Sequence, residues 1–450
     1  MSTELARREP GGSQSRPPAR AGRDNDKSVA RALGPLLREL FPTGLPVAFV
    51  FWDGSRLGEE EKRGRVVVAS KGALERLLWA PGELGLARAY VAGDLELEGD
   101  VYVLLRAMNE AVSGRMPRFS QLLLPLLKVA RRLDLSWRPP EPPPIEARLS
   151  RLSLGGRHSK ERDAAAIEHH YDVGNDFYSL VLGPAMTYSC ARFVKDGTTL
   201  EEAQAAKHEL VCRKLGLAER PGARLLDVGC GWGSMAIHAA RHHGAEVVGV
   251  TLSAAQAELA RERVAAAGLA DRVEIRLQDY RELGGERFDA ISSIGMFEHV
   301  GSERMDEYFS TLYGLLEEKG RLLNHAISKV GGSKMRGRRF INRYVFPDGE
   351  LIDVADVVRA MEVHGFEVRD VESLREHYAK TLRCWVANLD ASFEQAAALT
   401  SPERARVWRL YMAGSANGFE ENSIAIHQVL GVKSSPAGES GMPATRVGWS

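Results

Sequence analysis

Five side chains able to exchange protons or hold a polar ligand recur at one kind of place in this 450-residue chain, the far end of an apolar run. Asp227 closes the run Ala223 to Leu226, and Thr251 closes Val247 to Val250. Asp279 follows VEIRLQ, Glu298 follows FDAISSIGMF, and His325 lies in GRLLNHAIS. In open α/β sheets ligands bind outside the carboxyl ends of the strands, where strand order reverses. Each residue alone has a plainer reading: Asp227 as a turn cap, His325 as a hydrogen-bonded core histidine, Glu298 as a helix N-cap. Five on one rim favour a site.

The elements that must position them begin with ARLLDVGCGWGSMAIHAARHHGAEVVGVTLS, Ala223 to Ser253. An apolar run breaks at the glycine turn Gly229-Cys230-Gly231-Trp232-Gly233, a helical pattern follows, and Val247 to Thr251 reads as a second buried strand. This is the opening βαβ unit of a doubly wound sheet. Glycines there let the backbone approach a ligand beside a helix start. The turn carries Asp227 before its first glycine and bulky Trp232 where a pyrophosphate needs room, so it fits a cationic amino-acid ligand better than a dinucleotide. It resembles motif I of the class I S-adenosylmethionine (SAM) methyltransferases.

The alternation continues. Strands are expected at Val273 to Leu277, at FDAISSI ending near Ile294, at GRLLNHAIS, at FEVRDVE and at IAIHQVL. Helices are expected at Leu200 to Leu215, Met305 to Leu316 and Leu374 to about Trp408. Seven strands with helices on both faces make the expected fold an α/β, Rossmann-like class I methyltransferase sheet. Ahead of it, residues 29–112 read as a small α+β accessory domain, with strands at VAFVF and RVVVAS. Its acids Asp94, Glu96, Glu98 and Asp100 alternate as a solvated strand edge would. Residues 1–28 and 434–450 are rich in Gly, Ser and Pro and are expected to be loose. The catalytic domain is expected over 166–433.

Between them, residues 113–165 form a basic, Pro-rich linker with an apolar stretch, PRFSQLLLPLLKVARRLDLSW. It reads equally as a helix lying on an anionic membrane surface or as one packed on a neighbouring domain, since Pro125 interrupts its stripe. Sixty basic residues balance sixty acidic ones, which gives no field favouring nucleic acid. No apolar run reaches the ~18 residues of a membrane span and no signal peptide is evident, so a cytoplasmic, peripherally membrane-associated enzyme is expected. Cys190, Cys212, Cys230 and Cys384 show no metal-ligand spacing, so reduced thiols and no metal are expected.

From about His169 to Val432 the chain resembles the cyclopropane-fatty-acyl-phospholipid synthases, a branch of SAM methyltransferases that includes methylene-forming members. HHYDVGNDFY, MTYSCARF, LLDVGCGWG, GVTLSAAQ, LQDYREL, GMFEHVG, FINRYVFPDGEL and HYAKTLRCW carry the resemblance. AYVAGDLELEGD resembles the accessory domain of the phospholipid-modifying members. The resemblance implies that Tyr188, Ser189, Asp227, Gly229 and Gly231 face the methionine end of SAM. It puts Thr251, Leu252 and Gln256 at the ribose, and Gln278, Asp279 and Tyr280 around the adenine. It implies a catalytic set of Cys190, Glu298, His325 and Tyr378 with the backbone of Ile327, holding a bicarbonate ion.

The implied reaction places the SAM carbon on the double bond of an unsaturated phospholipid acyl chain. The alkene attacks the methyl, a carbocation forms in a dry pocket, and a base removes one proton to close a cyclopropane. Tyr344 or Tyr378 would face the cation, and Cys190 would line the site without acting as a nucleophile. A hydride shift before deprotonation would instead give a methylene-branched chain, reduced later by a partner reductase. A lipid-binding protein without chemistry is a further reading. Basic residues Lys334, Arg336, Arg338 and Arg339 either meet lipid phosphate or sit in a solvated loop. A homodimer is expected by analogy alone.

Overall fold

The structure is a computed structural model that describes residues 28–59, 64–113, 119–149, 173–331, 339–346 and 349–449. Its first part opens with helix Val29–Leu40 (α1), strands Ala48–Phe51 (β1), Arg56–Leu57 (β2) and Arg65–Val68 (β3), and helices Lys71–Trp79 (α2) and Glu83–Val91 (α3). Strand Leu95–Glu98 (β4) and helices Val101–Ser113 (α4), Phe119–Arg132 (α5) and Pro144–Leu149 (α6) follow. The strands form one sheet in the order β2-β1-β3-β4. Alternate residues of β1 and β3 face an apolar core shared with Leu33 and Leu36 of α1 and with Tyr90 and Leu104.

Two readings of this part change. Helix α5 packs through Val129 and Ala130 into that core, so its C-terminal half belongs to the N-terminal unit, while Leu124 stays exposed. The acids Asp94, Glu96, Glu98 and Asp100 are partnered, three by basic side chains and one by backbone amides. Asp94 meets Arg76 at 2.8 Å, Glu96 meets Arg406, Glu98 meets Arg65, and Asp100 caps the first turn of α4.

The second part runs through helices Asn175–Leu182 (α7) and Leu200–Leu215 (α8), strand Arg224–Val228 (β5), helix Ser234–His243 (α9), strand Glu246–Thr251 (β6), helix Ala254–Ala266 (α10) and strand Val273–Leu277 (β7). Strand Phe288–Ile294 (β8), helix Met305–Leu315 (α11), strand Leu316–Lys329 (β9), helix Arg339–Tyr344 (α12), strand Ile352–Asp353 (β10), helix Val354–Val363 (α13) and strand Glu367–Ser373 (β11) come next. Helices Arg375–Ala391 (α14), Phe393–Leu399 (α15) and Pro402–Glu420 (α16) precede the last strand, Ile424–Val432 (β12).

The main path of the sheet is β11-β12-β9-β8-β5-β6-β7, with β10 added beside β9. Strands β5 to β9 run parallel, and β12 inserts antiparallel between β9 and β11. The α/β class and the seven-strand path are those expected from sequence. The long helical stretch after Leu374 is divided into three helices, with Ser392 and Ser401 at the breaks, and extends past Trp408 to Glu420.

Helix α8 is locked to this sheet by its inward face. A capping box at Thr199 and Glu202 starts it, and Gly216, in the left-handed region at φ 76°, ends it. Lys214 is 1% exposed and pairs with buried Asp370 on β11 at 2.8 Å. Removing one member of a buried pair leaves the other uncompensated, at about 3–5 kcal/mol. Lys214→Met is therefore expected to lower the thermal unfolding midpoint, and adding Asp370→Leu to restore only part of the loss, because Lys214 also pairs with Glu372 at 2.5 Å and Asp370 with Arg446 at 3.1 Å. Equal melting of wild type and Lys214→Met would remove this pair from the account.

Candidate active site

Two cavities meet at the carboxyl edge of the sheet. The smaller, about 150 Å³, opens over the glycine turn. Gly229, Gly231 and Gly233 all adopt left-handed φ values (73°, 55° and 78°), which bends the chain at the end of β5 and starts α9 directly behind it. Amides of Gly229 and Cys230 both donate to Val250 O, which fixes the turn against β6. Tyr188, Ser189, Asp227, Gly229, Gly231, Thr251, Leu252, Gln256, Gln278, Asp279 and Tyr280 all line this cavity. The structure thus brings together the whole set expected from sequence at one end of the sheet.

Asp227 is 2% exposed; its Oδ1 accepts from Ser292 Oγ at 2.7 Å, while Oδ2 is buried with no protein partner. Burial pushes its carboxyl up to about 6. At the end of β6, Thr251 Oγ1 donates to Gln256 Oε1 at 2.9 Å, a neutral pair. Asp279 caps the short turn after β7 and pairs with Arg281 at 2.6 Å.

The larger cavity, about 1210 Å³, is walled mostly by apolar side chains. Cys190, Glu298, His325, Ile327 and Tyr378 all line it. Its walls continue past Phe346, Leu410, Tyr411 and Gly414 into the N-terminal unit, where Leu36, Phe49, Val66 and Leu95 line it. Tyr188, Ser189, Ile294, Gly295 and His299 line both cavities and form the passage between them.

One corner of the large cavity is polar. Glu298 sits on the short turn after β8, and its Oε1 accepts the Ile327 amide at 2.7 Å. Glu298 Oε2 is buried with no protein partner, and burial pushes the carboxyl up to about 7. The Ile327 amide is thus spent on Glu298 rather than directed at the cavity. His325 is 1% exposed, its Nδ1 lies 3.3 Å from Gln428 Nε2, and its Nε2 is buried with no protein partner. Burial, with Lys207 adding its charge, holds His325 well below its usual range, so the ring is neutral. Burial likewise pushes the Cys190 thiol up, and Sγ lies 3.6 Å from Leu374 O. A protonated thiol is a poor nucleophile. The Tyr378 ring packs at a tilt of 41° against Phe419, with centroids 4.8 Å apart.

Tyr344 is a correction. It lines neither cavity; its hydroxyl donates to Glu146, which Arg88 also grips with two hydrogen bonds of 2.7 Å. An aromatic cluster does border the passage: the Tyr188 ring lies 5.2 Å from Trp385 and 5.7 Å from both Tyr178 and Trp408. Lys334, Arg336 and Arg338 lie outside the described residues, as does the side chain of Arg339.

Sequence reasoning missed Lys207. It is 1% exposed, lines the smaller cavity, and donates to Ser189 Oγ at 3.0 Å. Burial brings its ammonium down to about 7, opposed by Cys190 and Asp227. The signal was present: Gln204, Lys207, Val211 and Lys214 fall on one helical face among buried residues.

Difference infrared titration should show a protonated carboxyl band ionising near pH 7, lost in Glu298→Gln and kept in Asp227→Asn. A band that survives Glu298→Gln would mean that the Glu298 carboxyl does not titrate there.

A family model described as mycolic acid cyclopropane synthetase matches residues 158–429. A probable fatty acid methyltransferase of Mycobacterium tuberculosis is 43% identical over 406 residues, covering 88% of this chain and 93% of its own. The cyclopropane-fatty-acyl-phospholipid synthase of Escherichia coli is 39% identical over 286 residues, covering 63% and 72%. Among solved structures, a mycolic acid cyclopropane synthase complexed with SAH and CTAB superposes with a TM-score of 0.57 at 39% identity, covering 60% of this chain and 97% of that one.

Proposed function

The chain belongs to the mycolic acid cyclopropane synthetase family and is a SAM-dependent methyltransferase, and from that premise we propose that it methylenates the double bond of an unsaturated phospholipid acyl chain to a cyclopropane. The observation that carries this reading is the meeting of the two cavities. A small polar cavity of glycine-turn geometry opens through Tyr188, Ser189, Ile294, Gly295 and His299 onto an apolar one larger than the ~300–1,000 Å³ of ordinary small-molecule sites. The relative of known structure was crystallised with SAH. In this reading SAM occupies the small cavity, with Asp227 and Ser189 at its methionine end and Thr251, Gln256 and Asp279 at its nucleoside.

The alkene then attacks the methyl: its π pair forms a carbon–carbon bond, the carbon–sulfur bond breaks onto sulfur, and the positive charge passes to the lipid. Apolar walls would withhold water from that cation, and the Tyr188 and Tyr378 rings on the wall of the larger cavity would offer it electron-rich surface. Ring closure releases one proton from the former methyl group into the corner formed by Glu298 and His325. Glu298 Oε2 and His325 Nε2 are orphaned there, a set that fits a small oxyanion carrying one hydroxyl, such as bicarbonate. That ion would supply a compact base. Glu298 works as a carboxylate, so its partner must keep it ionised, and His325 stays neutral.

Phospholipid is favoured over a free acyl chain because the N-terminal unit supplies part of the wall. Exposed Leu124 and Trp137, beside Lys128, Arg131 and Arg132 on and after α5, offer that unit an apolar, basic patch for an anionic bilayer face. Among the described residues no helix is long and apolar enough to cross a membrane.

Incubation with SAM and vesicles of unsaturated phospholipid should yield a ring-bearing acyl chain by mass spectrometric fragmentation; a methylene-branched product would assign the hydride-shift course instead. Glu298→Gln should lower kcat about 10²–10⁴-fold and abolish the fall in rate below pH 7. An added Cβ at Gly414 meets nothing within 4 Å, so Gly414→Leu points a side chain into the large cavity without a backbone clash. That variant should lose lipid turnover while binding SAM normally; undiminished turnover would refute the tunnel.

A further inference from the structure

Where α8 packs on α9, four metal-competent side chains converge, with the His238 ring 5.6 Å from His208 on the wall of the smaller cavity. His238 Nε2 and His243 Nε2 approach a single carboxylate oxygen, Glu209 Oε2, at 3.3 and 2.9 Å. The other oxygen of Glu209 is held by Arg213 Nε at 2.8 Å, which aims Oε2 at the two rings. Cys212, one helical turn from Glu209, is wholly buried, and its Sγ lies within 4.8 Å of ligand nitrogens on both histidines. His238 and His243 are only 13% and 8% exposed at their side chains, so the cluster is a part-closed pocket with Glu209 at its mouth.

The bland account of this cluster is a carboxylate solvated by two imidazoles. In that account the Cys212 thiol serves as a small packing group of the apolar core, and its place beside the two imidazoles is incidental. Two imidazole nitrogens, a thiol and a carboxylate are the donor types of a tetrahedral zinc site, and the mixture of borderline and soft donors selects zinc-like ions over magnesium or calcium. Bonds of roughly 2.0–2.3 Å in a tetrahedron set ligand atoms roughly 3.3–3.8 Å apart; the Cys212, His238 and His243 atoms lie within 4.8 Å of one another and Glu209 Oε2 lies 3.3 and 2.9 Å from the two rings, so small side-chain shifts suffice.

We infer that Cys212, His238 and His243, with Glu209 as the fourth ligand, form a binding site for one zinc-class divalent ion. Binding forms a metal–sulfur bond and releases the thiol proton of Cys212 to solvent, while both imidazoles bind neutral through Nε2. The ion would clamp α8 to α9. Those helices carry Lys207 and His208, and Ser234 and Met235, to the wall of the smaller cavity, so the site braces that wall without touching substrate. The expectation from cysteine spacing of no metal missed it, because the ligands lie on two helices 26 residues apart in sequence, from Cys212 to His238.

Tag-free, chelator-stripped full-length chain titrated with cobalt(II) tests this. One equivalent should bind, with the intense visible bands of a tetrahedral site and a thiolate-to-cobalt charge-transfer band, and zinc should displace it. Cys212→Ser should lose the charge-transfer band. His243→Asn should weaken binding at least tenfold and lose the zinc-dependent rise in melting temperature, whereas His242→Asn, at an exposed neighbour, should keep both. Circular dichroism of each variant verifies folding. Absence of the charge-transfer band in the wild type, its persistence in Cys212→Ser, or equal affinity in His243→Asn would each overturn the site.

Discussion

Everything at the junction of the two cavities hangs on a hydrogen bond of 2.7 Å, from the Ile327 amide to Glu298 Oε1. It pins the turn after β8 to the end of β9, neighbouring parallel strands, and so fixes where the second carboxylate oxygen lies. That oxygen and His325 Nε2 are both buried without protein partners. A buried unsatisfied polar atom costs about 1–3 kcal/mol, more when charged. Folding selects against such atoms, so two of them facing one apolar cavity mark a place where a ligand completes the set. The same reasoning applies to Asp227 Oδ2 at the floor of the smaller cavity.

The cavity itself depends on the two parts of the chain staying together, and charge does much of that work. Arg106 on α4 bonds Glu420 and Glu421 at the end of α16, Arg406 on α16 reaches Glu96 on β4, and the Arg383 guanidinium lies 3.9 Å over the Tyr102 ring. Asn417 adds a 2.9 Å hydrogen bond to Tyr102 O. These contacts ring the wall that α16 shares with the N-terminal unit.

Much of this was legible in the residues. Strand-length apolar runs ending in Asp227, Thr251 and Asp279 placed the rim, because side-chain burial on both faces of a parallel sheet leaves a continuous signal. Eleven residues lining the smaller cavity were named from the motifs that carry the family resemblance, while Lys207, on the same wall, was not. What stayed hidden depends on packing between distant segments. The depth of the large cavity comes from Phe49 and Leu95 meeting Leu410 and Gly414, which no window of sequence contains. Tyr344 was misplaced because nothing local announces that Glu146, nearly two hundred residues away, takes its hydroxyl.

Lys207 shows how the charge of the site balances. It stands between Asp227, Cys190 and Ser189, deep enough that burial lowers its ammonium to about 7 while raising Asp227 to about 6. Both shifts have the same cause, desolvation acting on groups of opposite sign, so near pH 7 neither charge is held as firmly as it would be in water. A ligand bearing both a carboxylate and cationic centres changes that balance: its carboxylate favours Lys207 charged, and its cationic centres favour Asp227 ionised. Two buried residues of opposite sign beside one cavity suit a ligand that carries both signs, because each of its charges would favour the ionised form of the group it faces.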